Sequence, residues 1–335
     1  MSFATRSISL QVPAKLNPQV RVGPLREDQY HDITLVYQAI SLYDTLHISH
    51  NPAGPTIIVT GTESERIPTD GRNLVLRAAQ ALGDHVGFKP HVHFNLIKAI
   101  PTQAGLGGGS ADAAAALVGC NMLWGMNVCD DDLMALGANI GEDVPFFIKG
   151  MMALGLGHKK PLVSLQTSKY VWNWVLGVPA AGLSTKSVFE RFDHTLARSP
   201  SPSAEEIYLK NRQNCIELPW GTRHPEELLS ALVNDFEGPS TQLLPDIQIA
   251  LRAGKTAGAV ASLMCGSGST CAFLARDETH ARSLMIELQK ETVFKEVLMA
   301  SGPVEGVRVL QYMRKVQTYV ALSILIAQHY GSVRS

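Results

Sequence analysis

The sequence predicts a two-domain protein that mixes strands and helices. Three observations predict it. The chain has 335 residues, against a usual domain of about 150. It is 45% hydrophobic, which is ample for a core. Residues 91–97 carry apolar side chains at alternate positions, four glycines follow between 105 and 109, and residues 113–123 are rich in strong helix formers. That order is strand, tight loop, helix.

The other elements follow along the chain. Residues 7–12 alternate as a first strand, and residues 33–48 contain further strand. Residues 72–82 read as a helix. Residues 130–139 read as a short helix ending near Gly141, and residues 151–156 as a buried strand. Residues 170–178 are aromatic and β-branched and open the second domain. The expected division is therefore 1–168 and 169–312. Residues 195–225 hold Pro200, Pro202, polar runs and Trp220, and predict a surface insertion. A second glycine turn, Cys265-Gly266-Ser267-Gly268-Ser269-Thr270, lies between two apolar segments. The tail, 313–335, has Val316, Tyr319, Val320, Ile324 and Ile326 near helical spacing and predicts a packing helix.

Composition excludes several classes of function. The formal net charge of −1 gives no broad electrostatic case for nucleic acid or an anionic membrane. The longest largely apolar run, residues 319–327, is too short to span a bilayer. No long apolar segment near the N-terminus marks a secretory signal. Five cysteines without Cys-x-x-Cys spacing suit a reduced, cytoplasmic compartment. His91 and His93 share one strand face, but no third ligand accompanies them, so they read as strand surface rather than a metal pair.

The glycine loop is the strongest functional signal. Glycine permits positive φ and close backbone approach to a ligand. Successive free N–H groups form an anion nest, and the following helix adds its own free donors and dipole. Ser110 is placed to cap that helix, with Asp112 in its first turn. The expectation is a phosphate or nucleotide site. No lysine follows the glycines as a P-loop requires. No acidic residue stands at a strand end about 20 residues on, as a dinucleotide fingerprint requires.

Further motifs stand in a fixed order around this loop. They are Pro13-Ala14-Lys15-Leu16-Asn17, Tyr30-His31-Asp32, Ile40-Ser41-Leu42-Tyr43-Asp44 and Asn73-Leu74-Val75. The loop itself runs from Ile100-Pro101 to Ala114. Gly141-Glu142-Asp143-Val144-Pro145-Phe146-Phe147, Asn234-Asp235-Phe236-Glu237 and Gly266-Ser267-Gly268-Ser269-Thr270 come later. From about Val12 to Leu274 the chain resembles the GHMP kinase superfamily, and most of all those members that phosphorylate a cytidine diphosphate-linked methylerythritol for isoprenoid precursors.

The resemblance implies an α+β fold with an N-terminal domain like the second domain of ribosomal protein S5 and a ferredoxin-like C-terminal domain. It implies ATP and Mg²⁺ as cofactors, a small-molecule substrate, and a monomer or homodimer that binds neither nucleic acid nor membrane. Pro101, Ala104, Gly105, Leu106, Gly107, Gly108, Gly109, Ser110 and Ala111 would hold the ATP phosphates, and the Ser110 hydroxyl would also contact the metal. Asp143 would be the general base and Lys15 would pair with it and stabilise charge on the transferring group. Lys98 would reach the nucleotide phosphates, or else be a solvated strand end. Asn73 would serve the adenosine pocket, a helix N-cap, or both. Asn17, Tyr30 and His31 would recognise the substrate, with Phe189 stacked on the cytosine. Gly266, Ser267 and Gly268 would close the site near the substrate phosphates. The chain departs from the pattern at Pro18, at Glu27-Asp28-Gln29 and at Gly155-Leu156-Gly157-His158.

Overall fold

Two long strands form the spine of the first half. The computed structural model describes residues 6–28, 30–157, 161–167, 170–198, 208, 213, 218, 220, 222 and 224–314. In it β1 (Arg6–Leu25) and β2 (His31–His50), 20 residues each, pair antiparallel. Their register shifts between Leu16 and Gln19. Pro18 lies in that gap; it has no N–H to give a ladder, so the irregularity falls where the sequence removes a donor. The β-strand β3 (Thr56–Gly61) then leads through α1 (Leu74–Val86) to β4 (Val92–Lys98), which pairs parallel to β3 and antiparallel to β2. The helices α2 (Gly108–Trp124), α3 (Asp130–Ile140) and α4 (Val144–Lys149) follow. The three aspartates that open α3 suit the positive end of its dipole. The strands β5 (Met152–Leu156) and β6 (Val163–Ser164) extend the sheet from the other half of β2.

The chain then builds a second sheet. It contains β7 (Trp172–Pro179), followed by α5 (Thr185–Arg198), the short β8 (Val233–Asn234), α6 (Glu237–Leu243) and α7 (Asp246–Thr256). After these come β9 (Ala261–Met264), β10 (Cys271–Ala275), α8 (Glu278–Leu288), β11 (Phe294–Gly302) and β12 (Arg308–Arg314). The second sheet is antiparallel in the order β11-β7-β10-β9. The first sheet has the order β12-β1-β2-β4-β3, and β8 joins it parallel to β1. The chain therefore returns twice, at β8 and β12, from the second half to the first.

The core explains the close approach of α2. Ala113, Ala114, Ala115, Ala116 and Leu117 are fully buried. A Cβ on Gly119 would lie 2.3 Å from Ile48 Cδ1. Small residues let this helix lie on the sheet, where Leu10, Ile48 and Phe94 are buried. Burying one such large side chain contributes about 1.5–3 kcal/mol. No helix among the described residues is long and apolar enough to cross a membrane.

Several expectations need correction. The phosphate-side helix begins at Gly108 with Gly107 as N-cap, so Ser110 sits inside the first turn and caps nothing. The 195–225 stretch is not wholly surface: Tyr208 is 6% exposed and its hydroxyl lies 3.1 Å from Thr34 Oγ1, and Trp220 is 2% exposed. Aromatic bulk in that stretch is used to cover β1 and β2. Residues 313 and 314, the start of the expected tail helix, are strand instead, because β12 pairs with β1. The rest of the expected tail helix, and the departures at Gln29 and His158, lie outside the described residues.

Candidate active site

The end of β4 is tied to the start of α2 by a buried charge cluster. Lys98, 3% exposed, places Nζ 2.7 Å from Asp112 Oδ2 and also bonds the Asp44 carboxylate. The other oxygen of Asp44 accepts the N–H groups of Ala99 at 2.7 Å and Ile100 at 2.9 Å. Burial opposes the charge on Lys98, yet its two carboxylate neighbours raise its pKa overall. Burial likewise pushes the Asp112 carboxyl well up, against the pull of Lys98. The expected role of Lys98 is corrected here. It is neither a solvated strand end nor a free cation facing a phosphate; both its carboxylate partners are inside, and it fixes the loop from beneath.

Above this cluster the loop turns through Gly105 and Gly107, both at φ 76°. Pro101, Ala104, Leu106 and Ala111 are buried, anchoring the turn on both sides. The first-turn N–H groups of α2, at Gly108, Gly109 and Ser110, have no partner within the helix and are left as donors at its N-terminus. A Cβ on Gly107 would lie 2.6 Å from Phe147 Cζ and 3.0 Å from Lys15 Cγ. On Gly108 it would meet Lys98 Nζ at 3.0 Å, so that glycine keeps clearance over the charge cluster. This cradle fits a polyphosphate.

The second glycine turn closes against the first. A Cβ on Gly266 would lie 3.3 Å from Lys15 Nζ. Asn234 from β8 donates to Gly266 O at 2.7 Å and Met264 O at 2.8 Å. The Ser240 hydroxyl donates to Ser267 O at 3.2 Å, Thr185 Oγ1 lies 2.9 Å from Ser267 Oγ, and Gly268 packs on Met264 and Leu183. Lys15 thus lies between the two glycine loops. A cleft lined by Glu63, Thr102, Ala104, Gly182, Ser269 and Lys295 runs beside them. A larger cavity of about 590 Å³, lined by Gly83, Asp84, Phe88 and His91, contains none of these residues.

Asp143 is half-buried at the N-cap of α4, and its side chain makes no capping bond. The expected Lys15–Asp143 ion pair is not formed. The Lys15 ammonium donates to Asn17 Oδ1 at 2.7 Å instead, because residues two apart on a strand share a face. Asn17 also donates to Val36 O at 3.2 Å, so it is 2% exposed and largely spent on structure. The partner of Asp143 is one the sequence reading missed. The Tyr37 hydroxyl donates to Asp143 Oδ1 at 3.0 Å. Burial and the nearby Asp143 carboxylate push the Tyr37 hydroxyl well above its usual pKa, so it stays a donor.

Of the expected substrate residues, the structure brings His31 and Phe189 together, with ring centroids 5.7 Å apart. Phe189 also meets Phe236 edge-on at 4.7 Å. His31 is buried, with Nδ1 2.7 Å from Gly23 O and Nε2 2.8 Å from the Asp193 carboxylate. Tyr30, next to His31 in the chain, is 56% exposed. Asn73 is the N-cap of α1, accepting from Val75 N at 2.9 Å and donating to Pro68 O at 2.7 Å. Both ends of its side chain are used there.

A phosphate cradle, a lysine between two glycine loops and a half-buried carboxylate define a small-molecule phosphotransferase of the GHMP kinase class. The chain matches the GHMP kinases N terminal domain over residues 73–151 and the GHMP kinases C terminal over residues 222–291. It is 41% identical to 4-diphosphocytidyl-2-C-methyl-D-erythritol kinase of Nocardia farcinica, covering 92% of this chain and 98% of that one. The crystal structure of a 4-(cytidine 5'-diphospho)-2C-methyl-D-erythritol kinase superposes with TM-score 0.65 at 28% identity, covering 88% of this chain and 98% of that one. A homoserine kinase from Cytophaga hutchinsonii superposes with TM-score 0.72 at 18% identity over 91% of this chain and 97% of that one, a likeness of fold alone. The chain belongs to the GHMP kinases, in the family of the 4-diphosphocytidyl-2-C-methyl-D-erythritol kinases, and its two-domain α+β fold is theirs.

Proposed function

We propose that the chain transfers the γ-phosphate of ATP to the 2-hydroxyl of 4-diphosphocytidyl-2-C-methyl-D-erythritol, supplying isoprenoid precursors. The observation that carries this reading is the meeting of the two glycine loops around Lys15, with Asp143 on the adjoining α4.

Phosphoryl transfer asks mostly for positioning and for neutralised charge. The N–H groups of Gly108, Gly109 and Ser110 would hold phosphate oxygens. Lys15 would meet the transferring group, released from Asn17 or shared with it. Asp143 would take the substrate hydroxyl's proton through Oδ2, while Oδ1 remains with Tyr37. His31 and Phe189 would form the pocket for the cytosine. No group of three or more His, Cys, Asp or Glu among the described residues makes a metal cage. Mg²⁺ suits such a site, since it is commonly held by substrate phosphates with few protein ligands. Bound there, it would neutralise phosphate charge, with the Ser110 hydroxyl as its protein contact.

The nucleotide would belong to residues 1–168 and the cytidine end to the part formed with 169–312. We place the reaction in the cytoplasm, in a monomer or homodimer; among the described residues the free thiols of Cys120, Cys129, Cys265 and Cys271 suit that compartment. A coupled ADP-release assay with the cytidylylated substrate, homoserine and mevalonate tests the reading. ADP release only with the cytidylylated compound supports it, and preference for either other alcohol overturns it.

A further inference from the structure

We infer that the Tyr37 hydroxyl positions the Asp143 carboxylate for proton abstraction. The inference rests on the reading of Asp143 as the base, and goes beyond it by naming the group that aims it.

Three observations carry it. First, the carboxylate is not engaged by its own helix. Asp143 stands at the N-cap of α4, yet makes no capping bond. Second, it lacks the expected ammonium, since Lys15 is held on Asn17. Third, among the described residues the side-chain hydrogen bond to its carboxylate comes from Tyr37, at 3.0 Å. The donor is itself buried and packed. Tyr37 is 4% exposed, lies within β2 opposite Ala153 of β5, and stacks on Phe146 with ring centroids 4.9 Å apart and planes 23° apart. Phe146 is on α4, three residues past Asp143. The same ring therefore braces the helix and bonds its first carboxylate. A rigid donor on Oδ1 fixes the rotation of the carboxylate and leaves Oδ2 for the substrate. A base must hold this geometry before its pKa matters.

Tyr37 is thus a positioning residue, and Tyr37→Phe isolates its role because the ring and its stack on Phe146 remain. The experiment measures kcat and both KM values for wild type, Tyr37→Phe, Asp143→Asn and the double variant, with thermal melting to show that each is folded. Tyr37→Phe should lower kcat about 10- to 100-fold, the range for a hydrogen bond to a charged group. The KM for ATP and for the alcohol should stay within about twofold. In the Asp143→Asn background, Tyr37→Phe should change little, because its effect passes through that carboxylate. If Asp143→Asn is crippled but Tyr37→Phe keeps wild-type kcat, the inference fails and the base assignment stands. If the two losses multiply, Tyr37 acts elsewhere and the inference also fails. If Asp143→Asn is itself near normal, the base reading fails and takes the inference with it.

Discussion

Gly105 and Cys265 are packed backbone against backbone: a Cβ on Gly105 would lie 2.4 Å from the Cys265 carbonyl oxygen. This contact joins the phosphate loop of the first half to the glycine turn between β9 and β10. Neither loop can move away without losing the other. Burial pushes the neighbouring Cys265 thiol up to about 12, so it packs as a neutral side chain.

Gly105→Ala should therefore damage both loops at once. Its φ of 76° strains an L side chain, at a cost of about 1–3 kcal/mol, and the Cβ strikes backbone that cannot rotate aside. Thermal melting should show lower stability, and calorimetric titration should show weaker ATP binding. Unchanged ATP affinity would mean that the loops need not touch for nucleotide to bind.

Lys98→Met should be strongly destabilising. It leaves Asp44 and Asp112 facing each other, both buried, without their shared cation. Removing one partner from a buried pair costs about 3–5 kcal/mol. Urea unfolding measures this directly, and a loss below about 1 kcal/mol would show that the cluster does not hold the loop.

Glu63 gives a pH signature. Its carboxyl is lowered from 4.5 to about 2, first by the Lys295 ammonium at 2.6 Å and then by the Thr102 hydroxyl. A depressed folded-state pKa contributes stability that is full above the unfolded value and fades as pH falls toward the folded one. The stability advantage of wild type over Glu63→Gln should thus be full above about pH 4.5 and shrink between there and about 2. Melting temperatures across that range check it. A constant difference would mean that the carboxylate contact is not what links the start of the phosphate loop to β11.

Phe189→Ala should separate the two ligands. Losing a base–aromatic stack costs about 1–3 kcal/mol of substrate affinity, or about 5- to 150-fold. ATP binding should not change, because the rings that Phe189 meets, His31 and Phe236, are not part of the phosphate loop. Equilibrium titration with each ligand distinguishes this from a general loss of folding, which would weaken both.

The parts of the fold legible in the sequence are those that local pattern dictates. The alternation at residues 91–97, the glycines and the alanine run place strand, loop and helix close to the observed β4 (Val92–Lys98) and α2. The helix start was misread because Ser110 is a strong capping type, whereas Gly107 at positive φ makes the turn. What stayed hidden depends on distant partners. Asp112 looked like a first-turn charge, and only its pairing with Lys98 puts it inside. Tyr37 fell within residues 33–48, expected only to contain strand, and nothing local links it to Asp143, 106 positions away. The available signal was a tyrosine in a buried strand, whose hydroxyl needs a partner when it is inside. The expected Lys15–Asp143 pair failed for the opposite reason: a nearer acceptor, Asn17, stood two residues along the same strand.

The proposed reaction is transfer of a phosphoryl group from ATP to the alcohol of a cytidylylated methylerythritol. Phosphorus NMR of wild-type protein with ATP, Mg²⁺ and 4-diphosphocytidyl-2-C-methyl-D-erythritol tests it most directly. The γ-phosphate signal should disappear, ADP should grow, and one new phosphomonoester should appear on a substrate whose diphosphate stays intact. Release of the γ-phosphate as inorganic phosphate alone, or no change in the substrate, would contradict it.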